Sequence, residues 1–291
     1  TKEFSFKWEF AFSIMILKRS FPFALLILLM AVYYYSDAVM LERIHEYGNI
    51  ESAAYARGYR FFMAANMIGY IFAGLLLPIF SKLIKNNERV DSILILSLKL
   101  LLGISVTIGL TGFCFQDEII HWRYDINDQD LQHSANAFGY LMLSFIAIST
   151  TYIFGTVLTA KGALKHLNVL AFFGVIINIV LNFIMIPESG AEGAALASLI
   201  TQALTALFQV IIAVKLLKIS MIKKDKISFS LFFILSYSVL LIAPNLSCSW
   251  VLSILITFFA LVIISFSTGM ISIKSILAII NEKSKSQISN N

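Results

Sequence analysis

Few side chains in this 291-residue chain could do chemistry, and Asp37 is the sharpest of them. It ends the aromatic run Tyr33-Tyr34-Tyr35-Ser36 inside an apolar stretch, where an ionisable group is costly and is usually paired or functional. Arg57 and Arg60 enter the next apolar stretch from the same side. Two roles are open for Asp37: an ion pair with one of these arginines that pins two helices, or coupling of a substrate or ion to movement. Lys99 lies inside the third apolar stretch, roughly 9 Å of helical rise from its boundary. Its long stem can snorkel to the headgroups, or its ammonium can hold an anion in a cavity. Arg60 reaches deeper from the opposite side, and its planar fork suits phosphate better than an ammonium does.

Uncharged polar residues are spaced to share helix faces: Asn178 with Asn182 one turn on, and Gln202 with Gln209 two turns on. Such stripes bond neighbouring helices or line a cavity, at about 0.6–2 kcal/mol for each bond in a membrane. Gly190, Ala194 and Ser198, flanked by Gly193 and Ala197, form a small-xxx-small seam that lets two backbones approach closely. His45, His121, His133 and His166 are scattered over separate connections, without HExxH or CxxC spacing, so no metal site is expected. The sequence has neither a phosphate-binding GxxxxGK[ST] loop nor a GxSxG nucleophile elbow, and no cofactor is expected. Cys114 and Cys248 fall near the outer ends of their stretches, which allows a disulfide topologically without requiring one.

The elements that must position these residues are membrane helices. Hydrophobic residues make up 59% of the chain, charged residues 13%, and the mean hydropathy is +0.85. Stretches long enough to cross about 30 Å of hydrocarbon as helix occur at 21–41, 61–80, 93–114, 137–158, 167–186, 194–214, 228–245 and 249–268. They are continuously apolar, whereas barrel strands alternate, so an all-α polytopic bundle of about eight transmembrane helices is expected. The short run Phe10 to Leu17, bounded by Lys7 and Lys18-Arg19, reads as an interfacial helix. Pro22 is placed to open the first span, where a missing N–H is harmless, and Pro78 to interrupt the second.

Basic residues fix the orientation. Lys2, Lys7, Lys18, Arg19, Lys82, Lys85, Arg89, Lys161, Lys165 and all those from Lys215 onward fall on one set of alternate connections. The other set holds only Arg43, Arg57, Arg60 and Arg123. Both termini are therefore expected in the cytoplasm, in a multi-pass plasma membrane protein. The formal charge of +5 is spread over several connections and calls for anionic lipid headgroups, not nucleic acid. The expected organisation is a cytoplasmic connector at 1–20, a six-helix lobe at 21–219, two additional helices at 220–268 and a cytoplasmic tail at 269–291. The start at Thr1 and the connector-like first residues read as the distal part of a longer protein.

The run Ser36-Asp37-Ala38-Val39-Met40-Leu41, then Ala54-Tyr55-Ala56-Arg57, then Leu77-Pro78-Ile79-Phe80-Ser81-Lys82, resembles the start of the second lobe of polysaccharide flippases. These belong to the superfamily that also holds multidrug exporters of the MATE type and the peptidoglycan lipid II flippase. The resemblance strengthens at Ile186-Pro187-Glu188-Ser189-Gly190-Ala191-Glu192-Gly193-Ala194-Ala195, which looks like that family's turn between spans. It covers about residues 10–215 and departs from the family pattern at Glu42 and Ala54, where glycine is frequent. The resemblance implies one lobe, plus extra helices, of a two-lobe transporter in a bacterial inner membrane. Its cargo would be a lipid-linked oligosaccharide such as an O-antigen repeat, turned to the outer leaflet by alternating access. It also implies a missing N-terminal lobe and polysaccharide polymerase machinery as partners.

Arg57, Arg60, Lys99 and Lys161 are the candidate cations for a diphosphate, with Asp37 for coupling to H⁺ or Na⁺. Asn178, Asn182 and Gln202 are candidate packing or cavity residues, and Pro187, Gly190 and Gly193 the turn. A small-molecule cation antiporter of the same superfamily is the alternative. A membrane-embedded glycan-modifying enzyme is a further one, for which Asp117, Glu118, His121, Arg123, Asp125, Asp128 and Asp130 would be the site.

Overall fold

Carbonyl and N–H groups in hydrocarbon must be paired within the chain, and continuous apolar stretches do so as helices. The computed structural model describes residues 10–125 and 128–271, with the side chains of 128–130 outside it. Lys2, Lys7, Lys274, Lys283, Lys285 and the side chains of Asp128 and Asp130 thus lie outside the described residues, as does most of the tail. The helices are α1 (Phe10–Ile44), α2 (Gly48–Lys85), α3 (Asp91–Cys114), α4 (Gln116–Tyr124), α5 (Asp128–Ala160), α6 (Leu164–Leu217), α7 (Lys223–Ile242) and α8 (Trp250–Ser267). Among the described residues all but α4 are long and apolar enough to cross a membrane. The fold is an all-α polytopic bundle.

The two expected spans at 167–186 and 194–214 are joined in α6, whose 54 residues contain one non-helical position, Gly190, at φ 49° and ψ −127°. That is a turn. The Asp37 carboxylate accepts hydrogen bonds from both Asn182 and Ser198, which sixteen residues of straight helix would hold about 24 Å apart. Farther along, Gly174 lies beside Thr205, a Cβ on the glycine standing 3.4 Å from the threonine hydroxyl. The arms 164–189 and 191–217 therefore run antiparallel, and counting them separately gives eight crossing segments.

Gly190 occupies a region of φ/ψ that side chains beyond glycine scarcely enter. The Glu51 carboxylate also fills the space where a Cβ would stand. Glu51 is 4% exposed and accepts from the Ala191 N–H at 2.6 Å, so the first turn of α2 caps the second arm of α6. Its other oxygen meets His133 Nδ1 at 2.7 Å, bringing in α5.

The start of the first span differs from expectation. Phe10 to Leu17 is the beginning of α1, not a separate interfacial helix, so Pro22 lies inside α1 instead of opening it. The polar stretch after Cys114 contains α4, with Asp117 and Glu118 in its first turn and His121 and Arg123 in its last, as the helix dipole favours. Cys114 and Cys248 are free thiols.

Helix α5 is the axis of packing. Its first half joins Leu41, Tyr55, Phe62 and Ala194 in one apolar cluster, and its second half joins Phe80, Leu94, Leu101 and Phe232 in another. Gly58 permits a close approach of two backbones, since a Cβ there would sit 2.7 Å from the Phe138 Cα. Helix α1, by contrast, stands at the edge: Asp37 and Leu41 are its buried residues.

Candidate functional site

The face of α1 that carries Tyr33, Ser36 and Asp37 turns toward α6, because positions three and four apart share one side of a helix. Asp37 is 2% exposed. Its Oδ1 accepts from Asn182 Nδ2 at 2.7 Å, and its Oδ2 accepts from the Tyr55 hydroxyl at 2.8 Å and the Ser198 hydroxyl at 2.5 Å. Around these, Asn182 Nδ2 also donates to Asn178 Oδ1 at 3.3 Å, the Ser36 hydroxyl donates to the same oxygen at 3.1 Å, and Tyr33 donates to Ser198. One carboxylate thus ties α1 to α2 and to both arms of α6.

The expected ion pair with Arg57 or Arg60 is absent among the described residues. Helical phase explains it: Tyr55 points at Asp37, and residues two and five positions later lie on the far side of α2. Arg57 instead donates to Ser134 Oγ of α5 at 3.0 Å, and Arg60 is exposed. Lys99 neither snorkels nor faces a cavity. Its Nζ pairs with Asp225 Oδ1 at 2.8 Å and stands 5.8 Å from the Phe229 ring centre, holding α3 against α7. Lys161 is exposed at the end of α5, before the turn at Gly162. The four candidate cations are therefore not gathered into one site.

A cavity of about 390 Å³ opens between α1, α2, α5 and the two arms of α6. Tyr33, Tyr34 and Gln202 form its end wall, and they also line a second space of about 10 Å³ that reaches Asp37, Tyr55 and Ser198. Helices α1 and α2 touch at their Asp37–Tyr55 end and part toward Met30 and Gly74, which makes the cavity wedge-shaped. No charged side chain lines it.

Asn178, Asn182 and Gln202 share this region: the asparagines hold Asp37 and Gln202 separates the two spaces. Pro187 and Gly190 form the turn, and at Gly193 a Cβ would stand 2.5 Å from the Met185 carbonyl oxygen, so a larger residue would clash with the first arm. Sequence reasoning missed Tyr55 as a partner of Asp37, assigned Ser198 to packing alone, and missed Glu51 and His133. A signal existed for Glu51, an acid opening a helix, where the dipole places anions. None existed for Tyr55, whose register against α1 depends on the α1–α2 turn. Among the described residues no three of His, Cys, Asp and Glu are grouped as a metal site.

The fold is similar to a solved structure described as "Lipid II flippase MurJ, inward closed conformation", with a TM-score of 0.68 and 18% sequence identity. That likeness covers 90% of this chain and 56% of the other, so this chain spans little more than half of that protein's length. No curated protein matches the sequence. The MatE family matches residues 22–184, more than half of the chain and including Asp37, Tyr55, Asn178 and Asn182, and the chain belongs to that family.

Proposed function

We propose that this chain is one lobe of a flippase that carries a lipid-linked oligosaccharide to the outer leaflet of a bacterial inner membrane, for surface polysaccharide assembly, by alternating access. The observation that carries this reading is the similarity of nine-tenths of the chain to part of a lipid II flippase. A second lobe suits α1 and α2, whose outer faces leave Ile27, Leu28, Val39, Met63, Met67 and Ile71 exposed. It would also supply the gathered cations that the diphosphate needs, with Arg60 toward the outer side and Lys161 on the cytoplasmic side as this chain's exposed cations at either end of the path. The polymerase that extends the glycan is the natural downstream partner, and cytoplasmic termini follow from the distribution of basic residues.

Asp37 is the coupling residue in this reading. It has carboxylate, hydroxyl and amide oxygens around it and no basic neighbour, so a proton or one small hard cation can bind there. The free space of about 10 Å³ beside it is the scale of a single water. That space counts against the antiporter alternative, because an organic cation does not fit beside the carboxylate.

The test is deletion of the complete gene, followed by quantification of polyprenyl-diphosphate glycans on each leaflet together with surface polysaccharide. The flippase reading expects completed carrier-linked repeats to accumulate on the cytoplasmic leaflet and surface glycan to fall. Unchanged sidedness would overturn it in favour of antiport, and unmodified or shortened glycan at the surface would favour an enzyme.

A further inference from the structure

The wedge-shaped cavity has walls of two kinds. Thr201, Thr205 and Gln209 follow one another at four-residue steps along the second arm of α6, with Thr151 facing them from α5. Thr201 and Gln209 are 2% and 7% exposed, yet Thr201 Oγ1 and Gln209 Oε1 have no hydrogen-bond partner, and neither has Thr151 Oγ1. Buried polar atoms are seldom left so, because each costs free energy until something pairs with it. Opposite them, Leu26, Met30 and Leu77 give an aliphatic wall. Between the walls the volume of about 390 Å³ falls within the range of small-molecule sites. A Cβ built on Gly74 meets nothing within 4 Å, so the space extends to the α2 backbone.

A ligand for this site must satisfy both walls and carry no charge, since no ionic side chain lines it. We infer that the cavity binds an uncharged amphiphile, a hydrocarbon body bearing one or two hydrogen-bonding groups of the alcohol or amide class. The site is separate from whatever holds a charged head group, and the inference does not depend on the flippase reading.

The test uses the full-length protein in nanodiscs and three probes on one diazirine-bearing ten-carbon chain: decanol, decyl phosphate and decane. Photolabelled residues are mapped by mass spectrometry. Decanol labels Thr201, Thr205 and Gly74 at least about tenfold more than decyl phosphate, because a charge has no partner in the cavity, and several-fold more than decane. Gly74→Leu fills the space and abolishes this labelling, with monodispersity on size-exclusion as the folding check. Gln209→Met keeps the volume but removes the orphaned oxygen, and lowers the preference for decanol over decane while leaving decane labelling intact. Equal labelling by the phosphate, a decanol preference unchanged in Gln209→Met, or no labelling of these residues overturns the inference. Because labelling is read without transport, its failure leaves the flippase reading untouched.

Discussion

The substitution Asp37→Asn separates a structural carboxylate from a working one. The wild-type group receives three hydrogen bonds, from Asn182, Tyr55 and Ser198. Asp37→Leu strands all three donors, and at about 0.6–1.7 kcal/mol for each hydrogen bond in a membrane the loss is about 2–5 kcal/mol. Asp37→Asn strands far less. Its amide oxygen can keep the Tyr55 and Ser198 hydroxyls, and its NH₂ then faces the Asn182 amide. Asn182 Oδ1 has no partner in the native protein, so a flip of that amide supplies an acceptor at the loss of its 3.3 Å bond to Asn178 Oδ1. The expected cost of Asp37→Asn is therefore under about 1.7 kcal/mol, the upper value of one such bond.

Function should not follow stability. A site that binds a proton or cation loses its charge in Asp37→Asn, and coupling free energies of about 1–3 kcal/mol translate into roughly 5–150-fold. The assay is leaflet-resolved transport of a carrier-linked glycan by the full-length protein, beside equilibrium unfolding of the same variants in mixed micelles. Near-native stability with transport down by that factor is the expected pair of results. Native transport in Asp37→Asn would refute the coupling role, and a stability loss equal to that of Asp37→Leu would make Asp37 a structural bond acceptor only.

Gly190→Ala should destabilise by about 2–5 kcal/mol, from a φ/ψ region reserved for glycine and from displacing the Glu51 cap. Adding Glu51→Ala should then cost little more, and strict additivity in the same unfolding measurement would argue against the cap. Lys99→Met should cost about 2–4 kcal/mol by leaving Asp225 unpaired, somewhat less than a fully buried pair because both side chains keep 10–16% exposure. The double variant Lys99→Met with Asp225→Leu should recover most of it, and a recovery below half would mean that the pair is not the main bond between α3 and α7. Cys248, exposed between α7 and α8, should react with a membrane-impermeant maleimide added outside intact cells. Labelling only in inside-out vesicles would invert the orientation read from the lysines and arginines.

The sequence made some of this legible and hid the rest for a physical reason. Apolar length predicts the spans because lipid leaves the backbone no alternative to helix, and the Pro187-Glu188-Ser189-Gly190 turn announced the reversal in α6. Stripes at fixed spacing on one helix were also readable, which is how Asn178, Asn182, Gln202 and Gln209 entered. Partnership across helices was not. Whether Asp37 meets Arg57 or Tyr55 depends on a rotation of α2 by one or two residues, and such a rotation leaves hydropathy unchanged. Lys99 failed for the same reason: its partner Asp225 lies 126 positions away at the start of α7, in a stretch whose five lysines set topology and concealed the one acid that mattered.

The carboxylate and the cavity are joined through α1. Among the described residues, Asp37 is where α1 is hydrogen-bonded to α2 and to both arms of α6 at once, and α1 has little else buried. The hairpin is itself held at its tip by Glu51 of α2, so α2 grips α6 at one end while Asp37 grips both from α1. Below that junction α1 and α2 diverge around an uncharged space. A change of charge on Asp37 therefore acts on the apex of the wedge, where its bonds to Asn182 and Ser198 join those of Ser36 and Tyr33 in holding α1 against the hairpin, which Asn168 also holds at the Pro22 carbonyl. Under the coupling role proposed for Asp37, an ion at the apex and a ligand in the cavity are expected to change each other's affinity through the position of α1, and equal decanol labelling of Asp37→Asn and the wild-type protein would count against it.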